Sequence, residues 1–238
     1  MTTPSFRWDV QADPDAVAAR AAAVLANAVT AAVDQRGTAL LALSGGSTPR
    51  VALERLAALP DVPWRYVHVA QVDERLAPDG HEDRNLTMLR AALLDHVEVA
   101  SVLPMPVVAA ETAAAAAAQN YGASLETVAG RPVRIDVLQL GLGADGHTAS
   151  LVPGDPILDV DDRDVALTAT YSGRRRMTLT APCLQRARQT VWIAHGEAKR
   201  PALQALVEPT SGIPARLAVG VDNIVITDVD IMSATEST

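Results

Sequence analysis

The chain has a single cysteine, Cys183, in 238 residues. It can form no internal disulfide, which suits a reducing compartment. Aromatic residues are scarce, at 3%, so Ala, Val and Leu must build the core. Positive charge is in deficit: 20 Lys and Arg against 28 Asp and Glu give a formal net charge of −8. That balance excludes a general attraction to nucleic acid or to anionic membranes. An anionic small molecule would need a few cations converging locally. The opening segment MTTPSFRWDV lacks the basic start and apolar run of a signal peptide. No apolar stretch is read as reaching the roughly 18–20 uninterrupted residues of a membrane span. The expectation is a soluble, cytoplasmic protein with neither nucleic acid nor membrane as partner.

What is present is a large apolar fraction, 49%, enough for a sizeable core. Asp13 and Pro14 read as an N-cap and first-turn proline for a helix that Gly37 ends. Short apolar runs at 38–44, 66–74, 134–143, 189–195 and 223–228, together with RRMTLT, read as strands. Helical patterns cover about 49–59, 82–97, the Ala-rich 111–130 and 196–207, and the tail MSATEST reads as frayed. Alternation of strands and helices predicts an α/β fold, one domain over 1–238 built on a doubly wound, mainly parallel sheet. Ligands of such sheets bind beyond the carboxyl ends of the strands. Three short motifs follow predicted strands: SGGSTP, DER and GLGADGH.

The loop GLGADGHTAS spells G-x-G-x-x-G through Gly141, Gly143 and Gly146. A dinucleotide loop needs a long helix after its third glycine. Here Pro153 and Gly154 follow after six residues, which leaves little room for one. The better reading is acid–base chemistry. His147 is the side chain most easily poised near neutral pH. Asp145 either orients its ring or binds a substrate hydroxyl, and loop N–H groups near Gly143 to Gly146 offer themselves to developing negative charge. Upstream, LSGGSTPR lies between a strand and a helix: Gly45 and Gly46 allow close backbone approach, and Ser47 and Thr48 bring donors to a helix N-terminus suited to phosphate. It lacks the G-K-[ST] of a nucleotide-hydrolysing loop. Arg176 and Lys199 are candidate cations.

Five motifs in order, LSGGSTP, VDER, GLGADGHTASLVPG, RMTLT and GEAK, between about Leu40 and Lys199, resemble the 6-phosphogluconolactonases, relatives of the glucosamine-6-phosphate deaminases. The resemblance implies a modified Rossmann-like fold that binds no nucleotide. It also implies hydrolysis of 6-phospho-D-glucono-1,5-lactone to 6-phosphogluconate in the oxidative pentose phosphate pathway, with no cofactor and no metal. By the same resemblance Ser47 and Thr48 contact the phosphate, and Arg176 and Lys199 neutralise it. His147 is then the general base, Asp73 lies near the sugar, and Arg75 lies near the phosphate or the sugar hydroxyls. Gly45, Gly46, Gly143 and Gly146 complete the expected substrate loops.

Two rival functions are weighed: an amino-sugar-phosphate deaminase or isomerase, and a non-catalytic sugar-phosphate sensor. Where the deaminases resemble G-x-D-G-H-I-A-F-N-E-P-G, this chain has Val152 at the glutamate position, and valine transfers no proton. A sensor normally carries a basic DNA-binding helix-turn-helix, for which the chain has neither room nor charge. The family's Pro-Asp-Ser-Asn is replaced by HEDRN at 81–85, with Asn85 a match for the asparagine in an open register. His68, His81, His96, His195, Cys183 and the three tryptophans read as packing or loop residues. A monomer or weak homodimer is expected.

Overall fold

The computed structural model describes residues 4–106 and 111–231; the tail expected to fray lies outside them. In chain order the strands are β1 (Ser5–Val10), β2 (Ala39–Leu43), β3 (Val67–Gln71), β4 (Asp73–Arg75), β5 (Ser101–Leu103), β6 (Val137–Gly141), β7 (Val165–Leu167), β8 (Arg176–Leu179), β9 (Gln189–Ile193) and β10 (Asp222–Thr227). The α-helices are α1 (Pro14–Arg36), α2 (Ser47–Ala57), α3 (Asn85–Leu89), α4 (Glu111–Ala129), α5 (Ala181–Gln185) and α6 (Arg200–Val207).

Seven strands form one sheet in the order β1-β10-β9-β6-β2-β3-β5, with every neighbouring pair parallel. Successive side chains of a strand face opposite ways, and both faces are covered. Leu40, Ala42, Leu138, Leu140 and Trp192 enter one core with α4 and α6. Leu41, Leu43, Val137, Val191 and Ile193 enter the other with α1 and α2. This is why the central strands read as continuous apolar runs, and the doubly wound, mainly parallel α/β class agrees.

Helix α1 starts and stops as the sequence predicts. The Asp13 side chain accepts from the N–H of Ala16 at 2.8 Å, and Gly37, at φ 80°, donates its N–H to the Val33 carbonyl. By length and composition this helix is apolar enough to span a membrane, although Arg20, Asn27 and Thr30 interrupt its apolar run as expected. In the fold Val17, Ala21, Leu25 and Val29 are fully buried against the sheet, and Arg20 pairs with Asp9 of β1 at 2.6 Å.

A second sheet, β4-β8-β7, was not anticipated; its strands are antiparallel. The run expected as one strand over 66–74 breaks at Val72. The Val72 N–H donates to Leu43 of β2, while its carbonyl accepts from Leu179 of β8. One residue thus hands the chain from the large sheet to the small one. RRMTLT is a strand, but of this smaller sheet. Strands β1, β5 and β7 also escaped the sequence reading: β5 and β7 have three residues each, too few to show a period, and β1 lies at the sheet edge.

Candidate active site

In the large sheet β2 stands between β6 and β3. The chain leaves β2 toward β3, and leaves β6 in the opposite direction, toward β9. The sheet order therefore reverses between β2 and β6, and a crevice opens beyond their carboxyl ends. A cleft of about 210 Å³ lies there, lined by the 44–49 loop, Asp73, Arg75, Asn85, the 141–143 and 147–149 segments, Arg176, Ile193, Ala194 and Lys199. Of the residues singled out from sequence, Gly45, Gly46, Ser47, Thr48, Asp73, Arg75, Gly143, His147, Arg176 and Lys199 meet in it. Asp145 and Gly146 are not among its lining.

The first wall is the start of α2, which begins at Ser47, two residues earlier than expected. Its N-cap, Gly46, has φ 121°, a value L side chains rarely adopt. Pro49 has no N–H, so Ser47 and Thr48 supply the open donors of the first turn. A Cβ on Gly45 would overlap the amide of Asn85; glycine is required there by close approach. Asn85 in turn donates to the carbonyl of Asp73 at 2.8 Å and to its carboxylate at 3.0 Å. Asn85 is thus a cleft residue in its own right.

The second wall is the loop after β6. His147 is held by Asp145, whose Oδ1 lies 2.6 Å from the ring Nδ1 and also accepts the His147 N–H at 3.2 Å. Burial pushes the Asp145 carboxyl up, yet these hydrogen bonds and the imidazole charge outweigh it and hold the group below the usual carboxylate range. Asp145 is therefore the acceptor and the ring Nδ1 the donor of this hydrogen bond. Asp145 orients the imidazole; it does not face the cleft. A Cβ on Gly143 would overlap both Nδ1 of His147 and Oδ1 of Asp145. Gly146, at φ 81°, packs against Ile213 instead.

Of the loop N–H groups near Gly143 to Gly146 expected to face developing negative charge, those of the two glycines are engaged within the loop. The Gly143 N–H donates to the His147 carbonyl at 2.8 Å, and that of Gly146 to the Gly143 carbonyl at 3.0 Å. The loop spends both donors on holding its own shape.

The third wall is the small sheet. Arg75 of β4 and Arg176 of β8 are direct cross-strand partners, an arrangement of like charges that costs stability. Each has a buried Nε with no partner. Burial, with Arg75 adding to it, lowers the Arg176 pKa against the pull of Asp73 and Tyr171. Arg75 is tied by one Nη to the Asp83 carbonyl at 2.7 Å. Lys199 follows β9 in a short 3₁₀ turn. Among the described residues none of the three cations forms an ion pair. Their charge is available to an anion, in a chain that is acidic overall. Asp73, only 4% exposed, accepts from Ser150 Oγ at 2.6 Å; burial raises its pKa despite that bond and the two arginines.

The sequence reading missed Glu74. It is fully buried and accepts from Gln71, Arg84 and the N–H groups of Arg75, Asn85 and Leu86. It holds β4 to the start of α3, and so sets both Asp73 and Asn85. Its place inside the DER triplet was the available signal. Among the described residues no group of three or more His, Cys, Asp or Glu is placed to hold a metal ion.

A family model for glucosamine-6-phosphate isomerases/6-phosphogluconolactonase matches residues 12–226. The chain belongs to this family. It is 38% identical over 207 residues to a 6-phosphogluconolactonase of Synechocystis, covering 84% of this chain and 85% of that one. It is 35% identical over 224 residues to the 6-phosphogluconolactonase of Mycobacterium tuberculosis, covering 89% and 90%. Among solved structures, 6-phosphogluconolactonase from Trypanosoma brucei superposes with a TM-score of 0.85 at 25% identity, over 99% of this chain and all of that one. The resemblance seen in the five motifs is thus that of the family. Val152, which the resemblance set against the deaminases' glutamate, is buried at 4% exposure and brings no ionisable group.

Proposed function

We propose that the protein hydrolyses 6-phospho-D-glucono-1,5-lactone to 6-phospho-D-gluconate, the second step of the oxidative pentose phosphate pathway. The observation that carries this reading is a convergence. An imidazole held by a carboxylate faces the same small cleft as three unpaired cations and an open helix N-terminus.

The phosphate is received by the first turn of α2, through Ser47 and Thr48, and by Arg176 and Lys199. Gly45 and Gly46 let the backbone come close. Anchoring one end of the lactone fixes C1 near His147 and lowers the entropic part of the barrier. Neutral His147 takes a proton from water through Nε2 as the oxygen attacks C1. Negative charge grows on the carbonyl oxygen. With the Gly143 and Gly146 donors committed within the loop, the positive field of the cleft stabilises that charge. The imidazolium, stabilised by Asp145, returns the proton to the departing ring oxygen. Asp73 and Asn85 present polar atoms to the sugar hydroxyls, with Arg75 beside them.

The lactone also hydrolyses unaided, so activity is measured above that background. The lactone is generated in situ and its decay followed with no protein, with wild type and with His147→Ala. Acceleration by wild type alone supports both the activity and the base. Equal acceleration by both moves the base elsewhere. No acceleration by wild type, with tight phosphosugar binding, turns the reading to a sensor. Val152 argues against deaminase chemistry.

A further inference from the structure

We propose that Tyr171 is a positioning residue for Arg176 and His147, and that it fixes how tightly the cleft holds its anion. The proposal deepens the lactonase reading and rests on it for the identity of that anion.

Arg176 is a costly residue to place. It is 8% exposed, its Nε has no partner, and Arg75 stands directly opposite on the neighbouring strand. Arg75 has an anchor in the Asp83 carbonyl. The Asp73 carboxylate attracts the Arg176 guanidinium, and among the described residues the aromatic face against it is that of Tyr171, whose ring centre lies 4.9 Å from Cζ. A cation over an aromatic face is attracted by the ring quadrupole, the more so when partly desolvated. The same ring lies 6.2 Å from the His147 imidazole, tilted by 57°. Tyr171 therefore bridges the proposed base and the proposed phosphate cation, without itself being among the residues that line the cleft.

The ring is held from behind. Tyr171 and Arg174 exchange backbone hydrogen bonds across a tight turn, with Ser172 and Gly173 both at positive φ. Arg174 then pairs with Asp83, at 2.7 and 2.8 Å. Asp83 thus receives Arg75 on its carbonyl and the Tyr171 turn on its carboxylate. One residue sets the spacing of the two arginines: Arg75 directly, and Arg176 through the Tyr171 ring. The contacts to Arg176 and His147 are made by the ring and not by the hydroxyl.

The test is calorimetric titration of the product, 6-phosphogluconate, into wild type, Tyr171→Phe, Tyr171→Leu, Arg176→Ala and the double variant Tyr171→Leu/Arg176→Ala. Phenylalanine keeps the ring, and its Kd is expected within about twofold of wild type; leucine is expected to weaken binding about fivefold to tenfold. In the Arg176→Ala background the same leucine substitution is expected to add less than about twofold, because the two residues act as one unit. A general structural role would move Kd by the same factor in both backgrounds. Circular dichroism checks folding, and Tyr171→Met replaces the leucine variant if that one unfolds.

Wild-type affinity in Tyr171→Leu, or an equal loss with and without Arg176, overturns the proposal. Binding without lactone hydrolysis by wild type sinks the lactonase reading alone and leaves the Tyr171 cycle measurable. No binding by wild type refutes both.

Discussion

The three glycines of 141–146 spell one motif, yet an added methyl group separates them into three jobs. At Gly143 the methyl overlaps the ring nitrogen of His147 and the carboxylate of Asp145. His147 is about one-third exposed, so its ring can swing outward rather than strain the fold. Gly143 is buried, but the overlapped atoms belong to side chains that can move, so Gly143→Ala should cost about 1 kcal/mol, the low end of overpacking. Its cost should appear in kcat. A positioned general base is worth about 10²–10⁴ in rate, and a displaced ring forfeits much of that, so a fall of about 100-fold is expected. At Gly146 the methyl meets Cβ of Ile213 at 2.6 Å on a backbone at φ 81°. Left-handed backbone costs an alanine about 1–2 kcal/mol, and overpacking adds about 1–3 kcal/mol. Gly146→Ala should lower Tm by about 5–15 °C at this chain length, with a smaller effect on kcat in the folded fraction. Gly141 has nothing within 4 Å of its methyl position, and Gly141→Ala should keep wild-type Tm. Thermal melts and the in situ lactone assay read all three variants. Wild-type turnover in Gly143→Ala would refute the assignment of an Asp145-held His147 as base.

Lys199→Ala removes a cation that makes no ion pair among the described residues, so Tm should hold while KM rises about 10- to 100-fold, the range of a charge-assisted hydrogen bond; a main effect on kcat would contradict an anchoring role. Glu74→Ala strips the buried partner from Arg84, which is 3% exposed, and should cost about 3–5 kcal/mol, read by denaturant unfolding. Asp73 has a raised pKa: its folded form binds a proton more readily than its unfolded form, so the group adds stability as pH falls and subtracts from it as pH rises through the folded pKa. Asp73→Asn should accordingly match or exceed wild-type stability above that pKa while losing sugar affinity, and a loss of stability there would show that the charge is favourably held. Asp145 is displaced the other way: its contribution is present above the unfolded carboxylate pKa and is lost as pH falls through the lower folded value. Asp145→Asn should therefore narrow the stability difference from wild type toward low pH in a series of melts.

How far the sequence revealed the molecule depended on what each element had to satisfy. The inner strands of the large sheet are buried on both faces, so β2, β6, β9 and β10 stood out as apolar runs. The helix α1 announced both ends because capping demands particular residues, Asp13 and Gly37. The small sheet demands much less. Its strands have three or four residues, too few for a period, and β4 continues the run of β3 with only Val72 between. What betrays the change of sheet is Val72 hydrogen-bonding β2 through its N–H and β8 through its carbonyl, a property of the folded chain and not of valine.

The same contrast explains the site. The loops that follow β2, β6 and β9 each lie at the carboxyl end of a strand of one parallel sheet, so motifs far apart in sequence had a common destination once that sheet was inferred. SGGST and GADGH were legible for that reason, whereas GEAK came from the resemblance; Gly45, Gly143 and Gly146 are glycines because Asn85, His147 with Asp145, and Ile213 leave no room for a Cβ, and Gly46 because of its positive φ. The rest of the site arrives through β4 and β8. Nothing in DER or RRMTLT states that Arg75 and Arg176 stand opposite each other. Only the antiparallel register does, and it makes two ordinary arginines a pair of like charges whose repulsion the proposed phosphate would relieve. Resemblance supplied Arg176 and Lys199 as residues; register supplies the reason the arginines work as a pair. Asp83, an exposed loop residue, adds a contact to this corner, its carbonyl accepting from Arg75 and its carboxylate from Arg174.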